Sequence, residues 1–224
     1  MAQAKKSNLF AIIISIVVVV AVVGVGALVI VLNNRASAPA TAPGATSVNQ
    51  ETGAIVIGDG AQELDTYVDF ICPICGQFED TWGDQINDAV ENGDITLNVH
   101  PVGLLDNASQ GTEYSSRAAN AMYCVANTSP DAAYAFLKEM YDQQPSEGTT
   151  GLDDDQIIQI AEDSGAGDVA DCITNREYDD YVQQQTDDMP IAPGQTRAAT
   201  PSVLLDDEWI QDWNSTTLAS HLAG

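Results

Sequence analysis

Cys72 and Cys75 enclose Pro73 and Ile74 in a Cys-Pro-Ile-Cys stretch, and that spacing suits thiol chemistry. Two thiols three positions apart can close a small disulfide loop. If the loop opens a helix, the positive end of the helix and its free amides favour a thiolate, which is the nucleophile in disulfide exchange. Cys72 would then be the attacked and attacking sulfur, and Cys75, one turn inward, the resolving one. A zinc half-site would need two further ligands, commonly a second close pair. Cys124 and Cys172 stand 48 apart, and His100 has no His neighbour, so the pattern names no metal and no cofactor. An inert structural disulfide is the remaining alternative for the pair.

The elements around the pair fit this chemistry. Residues 64–71 form a β-rich run that ends at Cys72, and Pro73 suits the first turn of a helix, where no amide donor is required. Cys75, Phe78, Trp82, Ile86 and Val90 recur at spacings of three and four, which predicts one buried stripe, and Gly93 marks the helix end. Residues 94–105 resume a strand pattern, giving a β-α-β order with parallel strands. Residues 54–57 suit a short edge strand. Residues 111–189 read as an all-helical insertion with segments at 115–126, 130–143, 153–164, 169–174 and 178–187. A hairpin over 201–205 with Trp209 and Ile210, and a helix over 216–223, would close the chain. Four cysteines allow three pairings, but Cys124 and Cys172 both fall on helices of the insertion, which favours a structural bridge between them. Its loop would contribute about 4 kcal/mol in the chain-entropy model.

Residues 9–32 carry no charge over 24 positions, and about 20 helical residues suffice to cross a bilayer. Lys5 and Lys6 precede the run, so the expected arrangement is a cytoplasmic N-terminus (1–8), a single transmembrane helix (9–32) and an exported remainder. Ala38-Pro39-Ala40 offers small residues for cleavage, but the apolar run is long for a signal peptide. Residues 33–53, rich in Ala, Pro, Thr and Ser, suit a flexible linker. Three of the seven Lys and Arg (Lys5, Lys6, Arg35) precede residue 36, so the rest of the chain sets four against 33 Asp and Glu. A surface of that sign repels phosphate backbones and excludes a nucleic-acid partner.

Val68-Asp69-Phe70-Ile71-Cys72-Pro73-Ile74-Cys75, the helical insertion, and Ala199-Thr200-Pro201-Ser202-Val203 together resemble the DsbA-like thiol-disulfide oxidoreductases of the thioredoxin superfamily. The resemblance implies an α/β thioredoxin-like fold, its first part at 54–110, the helical insertion at 111–189 and its second part at 190–224. It also implies a cis Thr200-Pro201 bond beside the disulfide, with the Thr200 backbone pairing with substrate. Without it, Pro201 reads as an ordinary strand-entry proline, although a cis X-Pro bend does bring backbone close to a sulfur. The activity implied is disulfide exchange with exported polypeptides, in the oxidase direction, with reoxidation by a quinone-linked membrane thiol oxidoreductase. The same residues would serve a reductase or isomerase, and the same fold a non-catalytic, chaperone-like binding module.

Three features depart from the family pattern. Ile74 stands where many relatives have His, which offers the thiolate no charge and weakens the case for a strongly oxidising potential. Thr66 stands six residues before Cys72, where relatives often have a buried acid, leaving Asp69, read as a partly exposed strand residue, as a candidate proton acceptor for Cys75. His100 reads as structural.

Overall fold

In the computed structural model, which describes residues 13–14, 16–26, 40–213, 218 and 222, strand alternation builds the sheet that carries the cysteine pair. Along Gln62–Val68 (β2), Leu64, Thr66 and Val68 turn to the buried face while Glu63, Asp65 and Tyr67 face the more open side. Ile95–Pro101 (β3) runs parallel to β2, and Ile55–Ile57 (β1) lies antiparallel on its far edge. Ser202–Leu205 (β4) pairs antiparallel with β2, followed by Glu208–Trp209 (β5), for a sheet order β1-β3-β2-β4-β5. The hairpin predicted around 201–210 is this β4-β5 pair.

Between β2 and β3 the chain crosses over through Pro73–Glu91 (α1). Its stripe of Cys75, Phe78, Trp82, Ile86 and Ala89 is buried, and the helix packs against β3. Val90, expected on the stripe, is only half-buried, and Ala89 takes the inward place. Asn92 caps the helix, and Gly93 follows at φ +74, the left-handed turn that glycine adopts without strain.

The insertion is organised around Tyr114–Thr128 (α2), whose Ala118, Ala119, Ala121, Met122, Tyr123, Cys124, Val125 and Ala126 are all buried. A helix apolar on every side must be wrapped by others. Ala133–Asp142 (α3), Asp154–Asp163 (α4), Ala170–Thr174 (α5) and Asp179–Asp187 (α6) all pack against it. The predicted start of α3 at 130 is a separate 3-10 turn over Pro130–Ala132. Asp153 accepts from the Gln156 amide at 2.9 Å while the Gln156 side chain returns to the Asp153 N–H at 3.0 Å, a reciprocal cap that fixes the start of α4.

Two expectations change. Residues 40–53, expected to belong to a flexible linker, lie on the fold: Val48 is buried and bridges Ile55, Ser47 Oγ donates to the Ala126 carbonyl at 2.7 Å, and the Ala45 N–H donates to Asn127 Oδ1 at 3.1 Å. These partners lie some 80 positions away, so the local composition gave no sign of them. The run expected to end at Cys72 as strand stops at Val68, because Asp69 turns the chain inward, as described below.

The chain divides into Met1–Pro39 and Ala40–Gly224. Residues 16–26 are helical with exposed apolar side chains, and no helix among the described residues is long and apolar enough to cross a membrane. The rest of the 9–32 run, residues 1–8 and residues 33–39 of the expected linker lie outside the described residues. Of the predicted closing helix over 216–223, residues 218 and 222 are described, and both are helical and buried.

Candidate active site

Asp69 shapes the loop that delivers the first cysteine. Its carboxylate accepts from the Ile71 N–H at 3.0 Å, the Ser115 hydroxyl at 2.8 Å and the Leu105 N–H at 2.8 Å, while its carbonyl accepts the Cys72 N–H at 3.0 Å. The side chain is fully buried, not the partly exposed strand residue expected. Burial pushes its pKa up to about 6, partly offset by those three donors.

Cys72 emerges from this loop as the N-cap of α1, in extended backbone, with Pro73 at the first helical position. Pro73 and Ile74 face solvent, whereas Cys72 is 5 % exposed and Cys75 1 % exposed. Both thiols are free. Across from them the Thr200-Pro201 bond is cis, and Cys72 Sγ donates to the Thr200 carbonyl at 3.3 Å. Antiparallel pairing of β4 with β2, with Ser202 opposite Tyr67, is what carries Pro201, just before β4, to the end of β2 that leads into the Cys72 loop.

The two sulfurs are electrostatically unlike. Cys72 is pulled down to about 6 by a hydrogen bond from Cys75, against burial, with help from the Thr200 side chain and from the Cys75 and Ile74 amides. Burial pushes Cys75 well above the ordinary thiol range, and the interactions with Cys72 push it the same way. One thiolate is thus available near neutrality while its partner keeps its proton. Ile74 contributes no charge, yet its amide is among the donors, so the helix start supplies part of what a charged neighbour would.

Further along α1, Glu79 is held up to about 7 by burial, against the lowering effects of Tyr134 and Lys138. The Tyr134 hydroxyl lies 3.3 Å from Glu79 and donates to the Gly83 carbonyl at 2.6 Å. The end of α3 also reaches the loop: Tyr141 Oη donates to the Asp69 carbonyl at 3.3 Å, and Gln144 Nε2 donates to the Phe70 and Cys72 carbonyls at 3.1 and 2.9 Å. None of Ser115, Tyr141 or Gln144 stood out in the sequence, since a polar residue on or just after a helix is ordinary until the neighbouring loop is placed.

Away from this cluster, Cys124 on α2 and Cys172 on α5 form a disulfide with Cα atoms 5.9 Å apart. His100 Nε2 lies 2.9 Å from Asp65, and its ring stacks on Tyr67 at 4.1 Å, a packing role on the sheet. Thr66 is buried on β2 and brings no acid to the site.

The family model described as Thioredoxin matches residues 50–221. Among solved structures, the reduced disulfide bond oxidoreductase DsbG from Mycobacterium tuberculosis superposes with a TM-score of 0.65 at 28% identity, over 75% of this chain and 85% of that one. Reduced DsbA from Mycobacterium tuberculosis gives 0.66 at 28% identity, over 75% and 90%. MdbA, a thiol-disulfide oxidoreductase from Corynebacterium diphtheriae, gives 0.64 at 22% identity, over 75% and 89%, a likeness of fold. The serine/threonine-protein kinase PknE of Mycobacterium tuberculosis is 32% identical over 107 residues, which is 46% of this chain. The chain spans 19% of the length of the curated relatives it matches.

Proposed function

The chain belongs to the thioredoxin family, and from that premise we propose that it is a DsbA-type thiol-disulfide oxidoreductase that oxidises exported polypeptides. The observation that carries this reading is the position of Cys72: N-cap of α1, with its sulfur 3.3 Å from the carbonyl that precedes a cis proline.

With the pair oxidised, a substrate thiolate attacks Cys72 Sγ, the Cys72–Cys75 bond breaks, and Cys75 leaves and takes up a proton. A second substrate thiolate then attacks the substrate sulfur of the mixed disulfide, and Cys72 leaves as a thiolate. The substrate gains a disulfide and the pair gains two electrons. A thiolate whose pKa lies near 6 is a good leaving group at neutral pH, which favours this direction. Thr200 and Pro201 line the approach to Cys72 and would receive the substrate backbone.

The reading extends to location and partners. The uncharged run over 9–32 behind Lys5 and Lys6 supports a single membrane anchor with the catalytic domain outside. The exposed apolar side chains on the helix at 16–26 agree with a lipid environment, and the Cys124–Cys172 disulfide with an oxidising compartment. Reoxidation would fall to a quinone-linked thiol oxidoreductase in the same membrane.

The test is oxidation of a reduced, unfolded substrate by the oxidised protein, with equilibration against glutathione. Cys72→Ser abolishes oxidation, and Cys75→Ala accumulates mixed disulfides whose captured partners identify substrates and reoxidant together. Unchanged activity of Cys72→Ser would favour a binding module, and a potential near that of thioredoxin, about −270 mV, would favour a reductase.

A further inference from the structure

Gly76 is an odd residue for the third position after a helix-opening proline, since glycine weakens helices relative to alanine. The reason lies on another element. A methyl group at position 76 would overlap the carboxamide oxygen of Gln144, which reaches over from the residues following α3. With that oxygen against Gly76, Gln144 Nε2 has both hydrogens engaged, one on the Phe70 carbonyl at 3.1 Å and one on the Cys72 carbonyl at 2.9 Å. The orientation is dictated by chemistry, because the reversed amide would set oxygen against two carbonyl oxygens. The Cys72 carbonyl also accepts the Gly76 N–H at 3.2 Å, so both its lone pairs are used. Among the described residues, no other donor reaches the Phe70 carbonyl.

We propose that Gln144 is a positioning residue for the redox pair: from the insertion, its amide fixes the peptide that joins Cys72 to Pro73 and so holds the Cys72 sulfur at the helix start, facing Thr200. Gly76 is the space that lets the amide lie there. Tyr141 acts beside it, donating to the Asp69 carbonyl, so two side chains three positions apart hold three carbonyls of the loop. The helical insertion thereby sets the reactivity of a thiol that the sheet and α1 carry.

The inference rests on the reading of Cys72 as the attacking thiol, but its test does not depend on activity toward any substrate. Iodoacetamide alkylation of the reduced full-length protein is followed against pH, with mass spectrometry assigning the product to Cys72. In Gln144→Ala the midpoint moves up, and alkylation at about pH 5 slows by about threefold; in Gln144→Glu, where a carboxylate faces both carbonyls, it slows by about tenfold. Gly76→Ala improves helix propensity yet moves the midpoint in the same direction, and adds little to Gln144→Ala in the double variant. Variants that lower the melting temperature while leaving the pH profile of the parent would overturn the proposal, as would a Gly76→Ala profile unchanged from the parent. A parent protein that alkylates normally but oxidises no substrate would sink the function proposed above and leave this inference standing.

Discussion

The chain holds two pairs of cysteines, both on or beside buried helices, and they differ in nearly everything that decides reactivity. Cys124, deep in α2, and Cys172, in the first turn of the short α5, are bonded to each other inside the insertion, so neither sulfur is free to carry charge. Cys72 and Cys75 share one helical turn at the end of a loop, and the Cys75 thiol, the Thr200 side chain and the amides of Cys75 and Ile74 all favour the thiolate at one sulfur, that of Cys72. Exposure does not separate them, since Cys72 is nearly as hidden as Cys124. Surroundings do. The thiol at the N-cap of α1 has free amides within reach, whereas Cys124 in mid-helix finds its neighbouring amides already bonded, and both sulfurs of its pair are spent on each other.

The strongest way to test this contrast is to remove the inert pair. Replacing Cys124 and Cys172 with Ala should cost about 4 kcal/mol of stability, read as a lower urea midpoint for the same protein with Cys72 and Cys75 reduced. The alkylation profile of Cys72 should stay that of the parent. A shifted profile would mean that the bridge, too, tunes the thiol.

A smaller effect sharpens the comparison through pH. Because the folded state lowers Cys72 from about 9 to about 6, the reduced protein binds fewer protons folded than unfolded across that window. Its stability should therefore rise relative to the oxidised form as pH increases from about 6 toward 9, and fall as pH drops through 6. The slope approaches about 1.4 kcal/mol per pH unit at most. Urea unfolding of both forms across this range measures it, and parallel curves would remove the electrostatic distinction between the pairs.

The smallest expected effect concerns Glu79, which lies on the helix of the reactive pair only. Its pKa is raised from 4.5 to about 7, so the stability it contributes is complete at low pH and is lost as pH rises through 7. Glu79→Gln should flatten that decline without touching Cys72 alkylation. Retention of the decline in the variant would assign it to another group, with Asp69, raised to about 6, the first to examine.

What could be read from residue order follows the range of the interactions involved. The stripe Cys75, Phe78, Trp82, Ile86 repeats with the helix period, so α1 and the β-α-β order were visible without a partner. The insertion helices were visible for the same reason, to within a few residues at their ends. The turn at residues 69–71 was not, because Asp69 leaves the strand to meet Leu105 and Ser115, 36 and 46 positions away. Residues 40–53 look like a spacer until Ala126 and Asn127 supply their partners. Gln144 follows the same logic, since its two acceptors lie more than 70 positions earlier.

The outermost strands are short. β1 has three residues and already bridges Val48 on its outer side, while β5 has two and follows Asp206 and Asp207. An extended sheet border is a template on which a foreign strand can add itself, and unfolded chains are the material most ready to do so. For a protein whose clients would be unfolded chains, borders this stubby would let a client be held through sulfur and released without becoming a sixth strand.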